Sequence, residues 1–238
     1  VMTTWSGALP FAFVSLRIDL TMVVLLYIAF LLLFELHHAR ARKLFLFGFL
    51  IVANVCIFAS IQSSREHRLR VTFLDVGQGD AIFVEFPNQT NYLIDVGPRG
   101  MNSDAGAKVV FPFLQQKGID HLDAIIVSHP HSDHLGGVPF LLRHLKVDRV
   151  IDAGSFGTSS LVREYLHLVD SLHISREMLK AGSTVNASDD VRIYVLHPSG
   201  KFVPKDSLER VNLNNQSLVI KLMFGMTKML FSGDAEDE

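Results

Sequence analysis

His129-Pro130-His131-Ser132-Asp133-His134-Leu135-Gly136-Gly137 places three imidazoles and a carboxylate within six residues, directly after the apolar run Ala124-Ile125-Ile126-Val127-Ser128. A short apolar run rich in β-branched residues predicts a buried strand. The ligand-type side chains therefore fall at a strand's carboxyl end, on a loop anchored by a rigid element. Pro130 biases His129 towards an extended backbone, which lets His129 and His131 project to the same side. The chain must then turn, aiming Asp133 and His134 at a neighbouring position. Gly136 and Gly137 remove side chains where backbone has to pass close by. Neutral imidazole suits zinc, iron and manganese, and a carboxylate adds hard-ligand character. One lone histidine would read as surface decoration; this spacing after a strand reads as a metal site.

The pattern H-x-H-x-D-H resembles the metal motif of the metallo-β-lactamase-fold hydrolases. Phe73-Leu74-Asp75-Val76-Gly77-Gln78-Gly79-Asp80-Ala81 and Leu93-Ile94-Asp95-Val96-Gly97 are more particular. Together with apolar segments upstream, they resemble the ComEC family of competence proteins, membrane channels for DNA uptake. The resemblance covers residues 68–238 and, more loosely, the part before them. It implies an α/β (α+β) architecture: a metallo-β-lactamase-like αββα sandwich with a two-metal site between its sheets. A transmembrane helical hairpin is expected to precede it.

That hairpin rests on two apolar runs, 18–34 and 44–61. Each is about as long as the ~17–25 residues a bilayer crossing needs, and neither shows the polar face of a globular helix. The connector Glu35-Leu36-His37-His38-Ala39-Arg40-Ala41-Arg42-Lys43 is basic, which places it in the cytoplasm. Both ends of the hairpin then lie on the outer side of a bacterial inner membrane, although Arg65, Arg68 and Arg70 weaken the asymmetry. Residues 1–64 are thus expected to form a multi-pass membrane region and residues 65–238 a hydrolase domain. The first residue is not Met and the last follows a motif closely, so the hydrolase domain is read as C-terminally truncated.

From Arg65 onward, 18 Lys and Arg stand against 22 Asp and Glu. That balance gives no support to a domain that grips DNA by phosphate neutralisation alone. The single cysteine, Cys56, lies in an apolar run and excludes a disulfide framework or thiolate metal site.

Strands are predicted over 69–76, 81–86, 92–96, 124–128, 149–152, 191–197, 217–224 and 229–232. Helices are predicted over 105–117, 138–145 and 160–172, with Asp104 as N-cap and Gly118 as the stop of the first. This mixture fits sheets sandwiched by helices.

Phe231-Ser232-Gly233-Asp234-Ala235 again follows an apolar strand. The resemblance implies that Asp234 bridges two metals, so the ligand set reads His129, His131, Asp133, His134 and Asp234. Asp95 matches the family's D-x-G aspartate, which supports the metal loop by hydrogen bonding. Asp75 and Asp80 flank the two glycines of the first motif and are read as site supports. Many relatives carry a histidine where this chain has Asn212-Leu213-Asn214-Asn215-Gln216, so Asn214 or Asn215 stands in its place. An amide oxygen is a poorer ligand than imidazole for a borderline-soft ion. His197 reads as a strand-end residue instead of a substitute.

The implied cofactor is one or two divalent ions, Zn or Mn, and the implied reaction is metal-assisted hydrolysis with Asp133 as the catalytic group that orients water. The resemblance implies a membrane-tethered nuclease that degrades the non-transported strand during competence. Its partners would be single-stranded DNA, the lipid bilayer and the remaining DNA-uptake proteins. The alternatives are an envelope phosphodiesterase or phosphocholine esterase of the same fold, and a non-catalytic channel-assembly module.

Overall fold

The structure, a computed structural model, describes residues 28, 39–63, 68–101, 103–154, 157–199 and 212–236. The chain divides into two compact units, Val1–Arg65 and Glu66–Glu238.

In the first unit, helix α1 runs over Ala39–Ser63. Its side chains are described from Lys43 to Val55, where Leu44, Phe47, Leu50, Val52 and Val55 are exposed. Among the described residues no helix is long and apolar enough to cross a membrane. The run 44–61 falls within α1, whereas 18–34 lies outside the described residues apart from Ile28.

Among its described residues the second unit contains twelve strands in chain order. They are β1 (Arg70–Phe73), β2 (Ile82–Glu85), β3 (Asn91–Ile94), β4 (His121–Leu122), β5 (Ala124–Ile126), β6 (Lys146–Val147), β7 (Arg149–Asp152), β8 (Ser175–Met178), β9 (Thr184–Ser188), β10 (Val191–His197), β11 (Val219–Phe224) and β12 (Thr227–Phe231). One sheet has the order β1-β2-β3-β5-β7-β8, the second β12-β11-β10-β9, and β4 pairs with β6. The first sheet begins with antiparallel pairs and continues parallel from β3 onward. The second is antiparallel throughout.

Alternation along the strands builds two cores, because successive side chains point to opposite faces. Phe83, Leu93, Ile125 and Val150 face one way and pack with Leu114, Leu141, Val162 and Tyr165 of the helices. Ile82, Val84, Tyr92, Ile94, Ile126 and Ile151 face the other way and meet Val185, Ile193, Val195, Ile220 and Leu222 of the second sheet. Among the described residues the layers are helix, sheet, sheet. The second helical layer of an αββα sandwich is not found among them.

The helical layer comprises α2 (Phe111–Gln116), α4 (Val138–His144) and α5 (Ser160–Ser171), while the single turn α3 (Ser132–Leu135) belongs to the metal loop. The helix predicted over 105–117 is divided. Gly106–Val110 forms a wide π turn, closed by Phe111 N–H on the Gly106 carbonyl, before α2 begins. Pro112 supplies the reason, since it brings no N–H to a regular ladder. Asp104 Oδ1 accepts the Ala107 N–H at 3.1 Å, and Gly118 turns the chain at φ +71°. Strand β1 ends at Phe73, earlier than predicted, because the chain leaves the sheet for the Gly-Gln-Gly loop.

At the carboxyl end of β7, Asp152 is fully buried. It accepts two hydrogen bonds from Arg176 of β8, at 2.6 and 2.9 Å, and one from Tyr165 of α5 at 3.1 Å. This group ties two strands to the helical layer beside the strand that carries the metal loop.

Candidate metal centre

Three loops meet at the carboxyl ends of the first sheet. Asp95 follows β3 in the left-handed region, at φ +55°, which Asp tolerates better than most side chains. Its backbone N–H bonds to Ile126, and the next residue, Val96, bonds to the carbonyl of His134. The loop after β1 closes on the same point. Gly79 adopts φ +100°, and a Cβ there would lie 2.0 Å from the Asp133 carbonyl oxygen. Only glycine permits that approach. The second sheet is joined by Leu218 N–H, which donates to the Ser128 carbonyl at 2.8 Å.

Ser128 is the hub, a role its position as the last residue of an apolar run did not reveal. Its N–H donates to Asp95 Oδ1 at 2.7 Å and its hydroxyl to Asp95 Oδ2 at 2.6 Å. A hydroxyl has one proton, so towards His129 Nδ1, 3.0 Å away, Ser128 Oγ acts as acceptor. His129 Nδ1 thus carries the ring proton and leaves Nε2 as a bare lone pair. That Nε2 is buried and has no hydrogen-bond partner. His134 Nδ1 donates to Asp95 Oδ2 at 2.8 Å, which turns its Nε2 towards Asp234 Oδ1 at 3.4 Å. His129 Nε2 lies 3.8 Å from Asp234 Oδ2.

The two imidazoles are driven in opposite directions. Burial and the positive field of His134 push the pKa of His129 down to about 4. At His134 burial opposes protonation, but it is outweighed by the Asp95 hydrogen bond and by the charges of Asp95, Asp234 and Asp133, which bring the pKa to about 9. Burial raises the pKa of Asp80, with Asp95, Asp234 and Asp133 adding to the rise against the pull of His134. Several carboxylates thus crowd one protonatable imidazole, an arrangement that a cation relieves.

One ligand atom each from His129, Asp133 and His134 lie within 4.8 Å of one another, as do atoms of Asp80, Asp95 and His134. Of the residues singled out in the sequence, His129, Asp133, His134, Asp234, Asp95 and Asp80 are brought together. His131 packs its ring against that of His129, with centroids 4.7 Å apart, but is in neither set. Asp75 is exposed and accepts the N–H of Gly77, so it closes its own turn. His197 Nε2 donates to the Asn215 carbonyl at 2.8 Å, as befits a strand-end anchor.

The asparagine segment forms a short turn, Asn214–Gln216. Asn212 and Asn214 each donate a side-chain N–H to Glu236, at 2.9 and 2.8 Å. Asn215 Oδ1 accepts the Glu236 N–H. Asn214 Oδ1 is buried without a partner, whereas the side-chain oxygen of Asn215 is engaged. Glu236, the residue that organises this segment, carried no signal in the sequence beyond its place after Gly-Asp-Ala. A third His/Asp group, His121, Asp123 and Asp148, lies at the other ends of the strands. Lys146 and His121 already face Asp148 there, at 3.4 and 2.9 Å.

The donor set fits a divalent ion. Two buried imidazoles present Nε2 to a shared carboxylate, one as an orphaned lone pair, and their Nδ1 atoms are held from behind by Ser128 and Asp95. Such backing is the usual support of metal-binding histidines.

This sandwich, with a His/Asp cluster at its strand ends, has the arrangement of a metallo-β-lactamase-like fold. The chain belongs to the Metallo-beta-lactamase superfamily, whose profile matches residues 74–236. It is ComEC-like: it shares 32% identity over 180 residues with ComE operon protein 3 of Bacillus subtilis, covering 71% of this chain and 22% of that protein. It also shares 33% identity over 103 residues with Ribonuclease J of Mycolicibacterium smegmatis, covering 40% and 18%. The chain therefore spans about a fifth of the length of these relatives. Among solved structures, a HARLDQ-motif mutant metallo-β-lactamase from Cronobacter sakazakii aligns with TM-score 0.44 and 18% identity, over 68% of this chain and 60% of that one.

Proposed function

We propose that this chain is a divalent-metal-dependent phosphodiesterase that cleaves single-stranded DNA in a DNA-uptake assembly, degrading the strand that is not transported. The observation that carries the reading is the buried, partnerless Nε2 of His129, facing Asp234 and grouped with Asp133 and His134. The chain's likeness to ComE operon protein 3 and to Ribonuclease J favours a nucleic-acid substrate over other phosphodiesters.

His129, His134, Asp133 and Asp234 would hold the metal, with His131, whose ring packs on that of His129, as a further ligand. A bound divalent ion lowers the pKa of water from 15.7 to about 7 and neutralises charge on phosphate oxygens. Asp133, grouped with His129 and His134, would orient the attacking water. Asp95 and Ser128 fix the proton on Nδ1 of both imidazoles, which keeps each Nε2 directed into the site. The free Oδ1 of Asn214 and the several carboxylates make the site oxygen-rich, which favours Mn over Zn.

Residues 18–34 and 44–61 tether the domain to the inner membrane, with the hydrolase on the outer side, beside the other DNA-uptake proteins. The test is cleavage of single-stranded DNA and of phosphocholine esters by the chain, with Mn or Zn supplied. DNA cleavage that falls at least ~100-fold in Asp133→Ala supports the proposal. Cleavage of the ester alone sinks the nuclease reading. Cleavage of neither with any metal leaves a channel-assembly module as the better account.

A further inference from the structure

The edge strands of the two sheets, β1 and β12, stand on the same side of the sandwich. Phe73 and Phe231 place their ring centroids 6.4 Å apart across the gap. A cavity of about 160 Å³ opens there and reaches inward to the metal centre. Its inner end is formed by the buried Asp95 and Ser128 with the half-buried Asp80, its walls include Ile94 and Phe231, and its exposed end carries Phe73 and Leu230. Phe73 and Leu230 are 64% and 62% exposed. Single exposed apolar residues are ordinary; two that flank a cavity leading to a charged centre are not scattered.

We infer that this cavity holds one single-ring nucleobase of a single-stranded nucleic acid, stacked on Phe73, while the adjoining phosphate lies at the His/Asp cluster. The inference rests on the nuclease reading and specifies its substrate. Size carries the first part of the argument. An apolar cavity of about 150 Å³ takes one benzene ring, and pockets for drug-sized ligands run to about 300–1,000 Å³. The space beside Phe73 therefore suits a pyrimidine ring and is too small for a whole nucleotide. Continuity carries the second. Asp80 and Ser128 belong to the cavity and to the metal centre at once, so a base in the cavity has its phosphate beside the ligands.

Chemistry carries the third. Every base has a π-face, so stacking on an aromatic side chain is sequence-tolerant. Cavity size then favours pyrimidines over purines.

The test compares metal-loaded wild type with Phe73→Ala, Phe73→Tyr and Met226→Ala on oligo-dT, oligo-dA and an abasic oligonucleotide of equal length. Met226 is 98% exposed at the turn between β11 and β12 and serves as the control for an exposed apolar loss. Phe73→Ala should raise KM for oligo-dT by about 5- to 100-fold, with kcat little changed and the abasic substrate unaffected. Phe73→Tyr should restore oligo-dT binding, Met226→Ala should change nothing, and wild type should prefer oligo-dT to oligo-dA. Unchanged KM for oligo-dT in Phe73→Ala, or an equal loss on the abasic strand, overturns the subsite while leaving the nuclease intact. Impaired cleavage of a phosphocholine ester alone would assign the cavity to a quaternary ammonium group. A wild type that cuts no oligonucleotide defeats the nuclease reading itself.

Discussion

Asp95 Oδ2 and His134 Nδ1 lie 2.8 Å apart, with both side chains almost wholly buried. Through Ser128 the same carboxylate also determines which nitrogen of His129 is bare. One residue from the loop after β3 therefore orients two imidazoles from the loop after β5.

Replacing Asp95 by Asn tests that dependence. The amide carries two N–H donors where the structure offers donors from Ser128 and His134, so at least one pair must clash. Metal affinity should fall about 10- to 100-fold, read by competition with a chelator. Thermal stability of the metal-free protein should fall as well, by about 1–3 kcal/mol.

The opposed imidazoles predict a stability optimum in pH for the metal-free protein. His134 has a folded pKa of about 9 against the ordinary 6.5, so its stabilisation is full below 6.5 and is lost as pH rises to 9. His129 has a folded pKa of about 4, so its contribution is present above 6.5 and is lost as pH falls to 4. Unfolding by denaturant across this range should show a maximum near pH 6.5 from these two groups. Metal must displace the proton on His134, so apparent metal affinity should climb with pH up to about 9.

Gly77 and Gly79 should respond differently to alanine. Both have positive φ, +82° and +100°, but nothing lies within 4 Å of a Cβ at Gly77. Gly77→Ala should cost only backbone strain, about 1–2 kcal/mol. Gly79→Ala drives a methyl into the Asp133 carbonyl, so it should cost more and also weaken metal binding. Paired denaturation and metal titration of the two variants distinguish these outcomes; equal behaviour would mean that the loop contact is not rigid.

Arg176→Met should destabilise the fold by about 3–5 kcal/mol, because it leaves the fully buried Asp152 without its charge partner. Adding Asp152→Ala to that variant should recover part of the loss, since the uncompensated charge is then gone. A double-mutant cycle in denaturant measures the difference.

The chain's local patterns carried much of this. The apolar run before His129 forms a strand, because short β-branched stretches bury well on both faces. The runs 81–86 and 92–96 were read as strands, and β2 and β3 form over them. Asp104 and Gly118 act through their own backbone neighbours, so their roles were readable without any partner. By contrast, Ser175–Met178 and Thr184–Ser188 went unread as strands. The first is largely polar, and pairing with β7 holds it in the sheet where propensity does not. The second shows only two small inward residues, Val185 and Ala187.

At the site, the sequence by itself determined which residue types the loops deliver and at which strand ends. It treated Asp75 and Asp80 alike. Only tertiary structure separated them, because the turn at Gly77 sends Asp75 to solvent while Gly79, pressed on Asp133, carries Asp80 into the centre. The same holds for Ser128, Asn214 and Glu236, whose roles depend on partners 33 and 22 residues away. Hydrogen bonds of that kind leave no local pattern. Their energy comes from groups that meet only after two sheets have packed, and the packed sheets, not neighbours in the chain, decide which nitrogen of each histidine is left free for a metal.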